Sequence, residues 1–117
     1  MALSGPVYEK TFELADKCVA LYKVLQDSRE FNLSNQLERS GTSVGAMVRE
    51  AKFAQSRADF ISKMQIGLKE ANETQYWLKL LRSNEYIDEV TYRSLHDLAD
   101  EVISLLVSII RTSKNNS

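Results

Sequence analysis

The chain has 117 residues, of which 44% are hydrophobic, and only four glycines and one proline. That is room for one domain around one core, too apolar for a disordered chain, and too poor in turn residues for an all-β fold. The net charge is −1, no apolar run reaches the roughly 18 to 20 residues of a membrane span, and the single cysteine, Cys18, excludes an internal disulfide.

The N-terminus Met1-Ala2-Leu3-Ser4-Gly5-Pro6 has no basic segment followed by an apolar one, so no secretory signal is expected and the cytoplasm is the expected compartment. Charge is unevenly spread. Residues 29–82 hold nine Lys/Arg against six acids, whereas residues 83–117 hold three against six. The middle of the chain is mildly basic, not a polybasic arm.

The first helix is expected over about 7–28. Pro6 suits a first-turn position, where its missing N–H costs nothing. At 100° per residue, Tyr8, Phe12, Ala15, Val19 and Tyr22 form a stripe, widened on one side by Leu14, Cys18, Leu21 and Leu25. The second helix is expected over 34–55, capped by Ser34, with Leu37, Gly41, Val44, Val48 and Ala51 facing the core. Gly41 and Gly45 each cost about 1 kcal/mol relative to Ala inside a helix. Close approach of a neighbouring helix to this small-residue stretch is the expected compensation, with a break at residues 40–43 as the alternative.

A third helix over 57–82 opens on Ser56-Arg57-Ala58-Asp59, a capping box of sorts. Its predicted stripe is Ile61, Met64, Leu68, Ala71, Gln75 and Leu78. The connection before it is so short that helices two and three must be antiparallel neighbours. Asp88 caps a fourth helix over 89–112, with Leu95, Leu98, Ala99, Val102, Leu106 and Ile109 inward and a polar, frayed tail from Ser113 to Ser117. The expected fold is therefore all-α: one antiparallel up-and-down four-helix bundle spanning residues 1–117.

A bundle helix needs an apolar arc of about 100° or a little more. Helix four exceeds it, because Ile103, Val107 and Ile110 flank its stripe on one side and Leu105 on the other. Helix three carries Ile66, Trp77, Leu80 and Leu81 off its stripe. Apolar surface beyond the needs of one core predicts an interface with further copies of the chain. Arg39, Ser43 and Glu50 on helix two, and Glu70, Glu73 and Trp77 on helix three, are the candidate interface and register residues. A guanidinium offers a fork of donors to carboxylate oxygens, so Arg39 is expected to meet Glu50, Glu70 or Glu73, within or between subunits.

Catalytic chemistry finds little support. His96 is the only histidine, so the paired Glu-x-x-His units of a di-iron bundle cannot be built. There is no zinc pattern and no glycine-rich phosphate loop. No cofactor is expected. The acidic pairs Glu70-x-x-Glu73 and Asp97-x-x-Asp100 resemble those that hold Mg²⁺ in all-α nucleotide pyrophosphohydrolases, a remote alternative, because Asp97 and Asp100 fall on the polar arc of helix four. A second functional class is RNA binding through a basic patch on helices two and three, with Arg49, Lys52 and Arg57 as its candidate residues.

From Leu33 to Leu81 the chain carries a specific pattern: Leu33-Ser34-Asn35-Gln36-Leu37-Glu38-Arg39-Ser40-Gly41-Thr42-Ser43-Val44-Gly45-Ala46, then Glu50-Ala51-Lys52, Asp59-Phe60-Ile61-Ser62-Lys63-Met64, and Lys69-Glu70-Ala71-Asn72-Glu73-Thr74-Gln75-Tyr76-Trp77-Leu78. It resembles the bacterial four-helix bundle proteins of the 23S rRNA intervening-sequence type. The resemblance implies a cytoplasmic, non-enzymatic bundle that assembles into a ring, typically a pentamer. It also implies kinship with the accessory variability proteins of diversity-generating retroelements, which bind nucleic acid and a reverse transcriptase. Those proteins are strongly basic and this chain is not. Val44 and Met47-Val48 stand where the family pattern has Ile and Asn-Ile, which leaves the core intact and removes one hydrogen-bonding group.

Overall fold

Local chemistry sets the helix ends. In the computed structural model, which describes residues 5–116, Pro6 opens α1 (Pro6–Asp27), followed by α2 (Asn32–Ala51), α3 (Arg57–Ser83) and α4 (Glu89–Asn115). Most of the N-terminal stretch read for a targeting signal, Met1 to Ser4, and the last tail residue, Ser117, lie outside the described residues. Ser56 Oγ accepts from the Asp59 N–H at 3.0 Å, while the Asp59 carboxylate accepts from the Gln55 N–H at 3.1 Å. Asp88 caps α4 by accepting from the Thr91 N–H at 2.7 Å.

The start of α2 differs from expectation. Ser34 is not its cap but a buried residue of the first turn, donating to the Glu30 carbonyl at 2.6 Å and accepting from Gln26 Nε2 at 2.8 Å. The Glu30 carboxylate does the capping, accepting from the N–H groups of Leu33 and Ser34. At the other end α2 unwinds four residues earlier than Gln55. The N–H groups of Lys52, Phe53 and Ala54 reach back only three residues, a tightened turn that ends the helix before Ser56 starts the next. Through residues 40–43 the helix is unbroken.

Four helices fit a body of 48 × 21 × 20 Å only side by side, since a 27-residue helix is about 40 Å long. Each helix packs on its sequence neighbours, and α1 closes the ring against α4. The connections are too short to return along the bundle, which runs consecutive helices in opposite directions.

The core places α2 as the sequence predicts, with Leu37, Gly41, Val44, Val48 and Ala51 buried. In α1 the stripe is shifted. Val7, Thr11, Leu14, Cys18, Leu21 and Leu25 face inward, while Tyr8, Ala15, Val19 and Tyr22 are half-buried and Phe12 is exposed. The flank and the centre of the apolar arc exchange roles because α4 also packs against α1 and draws the axis round. In α3 the buried line is Phe60, Met64, Gly67, Ala71, Thr74, Leu78 and Leu81, with Ile61, Leu68 and Gln75 half-buried beside it. A count of apolar residues passes over Gly67 and Thr74, yet small side chains are what let α2 approach. Thr74 Oγ1 reaches Ser40 Oγ across that seam at 2.9 Å. In α4 the core holds Leu95, Leu98, Ala99, Val102 and Leu106, and Ile110 takes the place expected of Ile109. The helix runs three residues past its expected end at 112, with Ser113 buried, so the tail expected to fray from Ser113 is helical as far as Asn115.

The surplus apolar arc is largely absorbed. Leu81 and Ile110 are core residues, and Ile103, Leu105, Val107, Trp77 and Leu80 are half-buried. Of the expected second faces only Ile66 is openly exposed. No helix among the described residues is long and apolar enough to cross a membrane.

Candidate functional site

The outer α2–α3 face carries an ion cluster. Arg39 donates through Nη1 to both Glu70 oxygens, at 3.0 and 3.2 Å, and through Nη2 to Glu73 at 3.0 Å. The hydrogen bond to Glu70, with Glu73 alongside, holds the guanidinium even more firmly protonated than usual. Of the six candidate interface and register residues these three come together, within one chain. Ser43 donates to the Arg39 carbonyl of its own helix at 2.6 Å, Glu50 stands apart and exposed, and Trp77 packs edge-on against Tyr76 with its indole N–H unpartnered. The Arg39 side chain is 48% exposed and that of Glu70 16%, so the cluster is a surface clamp between helices rather than a buried pair.

Arg49 near the end of α2, Lys52 just after it and Arg57 at the start of α3 flank the α2–α3 connection and are all exposed. Arg49 and Lys52 lie over the Tyr8 ring of α1, at 5.9 and 5.7 Å from its centroid, and Lys52 is also 5.7 Å from the Phe53 centroid. Phe53 is 81% exposed. Among the described residues none of these three cations pairs with a carboxylate, a state they share with Lys23, Arg29, Lys69, Lys79, Arg111 and Lys114, whereas Lys10, Lys17, Arg39, Lys63, Arg82 and Arg93 are paired. Sequence reasoning found the cations and missed both rings. Phe53 was hidden inside an α2 drawn too long, and Tyr8 inside a stripe drawn as core.

A third surface lies between the second half of α1 and the start of α4. Here a groove of about 600 Å³ is lined by Lys17, Leu21, Val24, Tyr86, Val90 and Leu95, among others. Val24 is 62% exposed and Val90 78%. No periodicity argument marked it, because it is built from the flank of one helix, a connection and the first turn of another.

The acids do not converge as a Mg²⁺ quartet would require. Glu70 and Glu73 are engaged by Arg39, while Asp97 and Asp100 gather with His96, their ligand atoms within 4.8 Å of one another. Both aspartates are exposed, and Asp100 accepts from Gln75 Nε2 at 2.7 Å. Cys18 is buried, which pushes its thiol pKa up to about 12 and leaves no thiolate for chemistry.

The first three helices, the start of α4, the Ser56 and Asp88 caps and the Arg39 clamp fall within the span that matches a known family. The match is to the 23S rRNA-intervening sequence protein family and covers residues 5–108. The chain belongs to that family. A crystal structure of a protein with unknown function, from the S23 ribosomal protein family of Bacteroides thetaiotaomicron, is similar over 90% of this chain and 98% of that one, with 52% identity and a TM-score of 0.87. No curated protein matches the chain significantly. This member of the family is all-helical in its regular structure among the described residues, and the solved protein it resembles is described as one of unknown function.

Proposed function

We propose that this family member is a non-enzymatic, cytoplasmic scaffold that works as a homo-oligomer, in the pentameric ring the family resemblance implies. The observation that carries this reading is the α1–α4 groove, where Val24, Tyr86 and Val90 are all exposed around a floor of Leu21, Ile87 and Leu95. Apolar surface gathered in one concave place, rather than scattered singly, is what a subunit interface requires. A ring needs two different complementary faces on each subunit. The groove supplies one, and the α2–α3 face with the half-buried Trp77 and exposed Tyr76 and Ile66 supplies a candidate for the other. The test is the mass of the purified protein in solution, with Val90→Asp as the variant that should break the assembly while leaving the subunit folded.

A second reading, RNA binding, is favoured by one observation at the α2–α3 corner: Arg49 and Lys52, neither paired with a carboxylate among the described residues, both stand over the Tyr8 ring beside the exposed Phe53. A ring would repeat that corner on every subunit, turning a weak local patch into a multivalent one. Binding through phosphate contacts weakens steeply with salt, so an RNA titration at several salt concentrations tests it.

A further inference from the structure

We infer that the α2–α3 corner binds single-stranded nucleic acid, with an unpaired base stacked on Phe53 and the adjacent phosphates met by Arg49, Lys52 and Arg57. This deepens the RNA-binding reading and rests on it.

Phe53 is the most exposed of the large apolar side chains among the described residues, at 81%, and it sits in a connection rather than on a helix face. Among the described residues the ring contact it makes is with Lys52, at 5.7 Å from the centroid. An exposed aromatic ring bordered by cations suits a nucleotide, because every base has a π-face and every linkage a negative charge.

The charges around it are available. Asp59, the nearest acid in α3, is engaged by Lys63 at 3.1 Å and by the Gln55 N–H, which leaves Glu50 as the one acid on the patch without a partner. Tyr8 adds order. With Arg49 and Lys52 both over its ring, the two cationic heads are held on one side of the corner instead of sweeping freely.

Strandedness follows from the ring. A duplex keeps its bases stacked on one another and offers phosphates alone, so it cannot use Phe53. A lipid surface fits less well, because an interfacial segment needs several apolar side chains together. Phe53 has Arg49, Glu50, Lys52, Gln55, Ser56 and Arg57 around it in sequence.

The experiment is fluorescence anisotropy on the full chain at low salt. The probes are a labelled oligouridine, a labelled RNA duplex of equal length, and phosphatidylserine-containing vesicles. Oligouridine should bind more tightly than duplex, with the difference shrinking in Phe53→Ala and Phe53→Leu but not in Phe53→Tyr. Loss of the ring should weaken oligouridine binding roughly tenfold. Lys52→Ala should flatten the salt dependence while keeping the preference for single strands. Since Phe53 is exposed, these variants should melt like the parent, so a binding loss is not a folding loss. Oligouridine binding unchanged in Phe53→Ala would overturn the stacking site and leave RNA binding standing. No binding of either RNA at low salt would overturn both. Vesicle binding that depends on Phe53, without RNA binding, would make the corner a membrane contact instead.

Discussion

Gly41 of α2 lies against Cys18 of α1 so closely that a Cβ on Gly41 would stand 2.5 Å from Cys18 Sγ and 2.8 Å from its Cβ. That is where the helix-interior glycine is explained: the α1–α2 separation is set by the absence of a side chain. Gly45, one turn on, is different, since a Cβ there would meet Thr11 O at 3.5 Å, an ordinary contact. Gly41→Ala should therefore destabilise the bundle by about 1 to 3 kcal/mol through overpacking. Gly45→Ala should be neutral or stabilise it by up to about 1 kcal/mol through helix propensity. Thermal or urea unfolding of the two variants checks the contrast, and similar effects from both would contradict it.

Arg29 and Glu85 occupy left-handed backbone, at φ of 63° and 65°. Each follows a helix end at which the next N–H reaches back to close the turn, Glu30 to the Leu25 carbonyl and Tyr86 to the Leu81 carbonyl. This is the Schellman arrangement, whose usual occupant is glycine. Glu85→Gly should raise stability by roughly 0.5 to 1 kcal/mol, because the strain relieved exceeds the chain entropy added. A drop in melting temperature would mean that the Glu85 side chain contributes something the geometry does not reveal.

The Arg39 clamp is half exposed, so the several kcal/mol characteristic of breaking a buried pair does not apply. Arg39→Ala should cost about 1 kcal/mol, the sum of two screened surface pairs, and the cost should shrink in high salt. An unfolding series at two ionic strengths measures it. A loss several times larger, insensitive to salt, would show that Arg39 becomes buried in the assembled protein.

Three carboxylates sit below their ordinary range. The Gln55 N–H and Lys63 hold Asp59 down, the Thr91 N–H holds Asp88 down, and Arg93 with Arg82 holds Glu89 down. A depressed folded-state value means that the unfolded chain takes up protons first as pH falls. The stability these groups give is complete above the unfolded values of 3.8 for the aspartates and 4.5 for Glu89, and is lost as pH falls through the lower folded ones. Melting temperature should be flat near neutrality and fall below about pH 4.5, with Asp88→Asn removing part of the slope. An Asp88→Asn profile parallel to that of the parent would contradict the assignment.

The fold was legible because its determinants are local. Ser56 with Asp59, and Asp88, announce helix starts within four residues of sequence, and Gly41 announces a close neighbour. What was not legible depends on packing. Which flank of α1 faces inward is decided by α2 and α4 together, and Gly67 and Thr74 enter the core because they are small, a property a hydrophobic stripe does not score. The choice of Glu70 and Glu73 over Glu50 as partners of Arg39 follows from the rotation of α3 against α2. Phe53 became visible only when α2 ended at Ala51. The α1–α4 groove exists only once the ends of two helices and a connection are side by side.

Assembly is the central claim, and light scattering on the purified chain, coupled to size exclusion, addresses it most directly. Each subunit is 13.3 kDa. The account predicts a single species with the mass of a pentamer at micromolar concentration, and a Val90→Asp variant that remains helical but runs as a smaller species. A parent protein that is a monomer across that concentration range would contradict it.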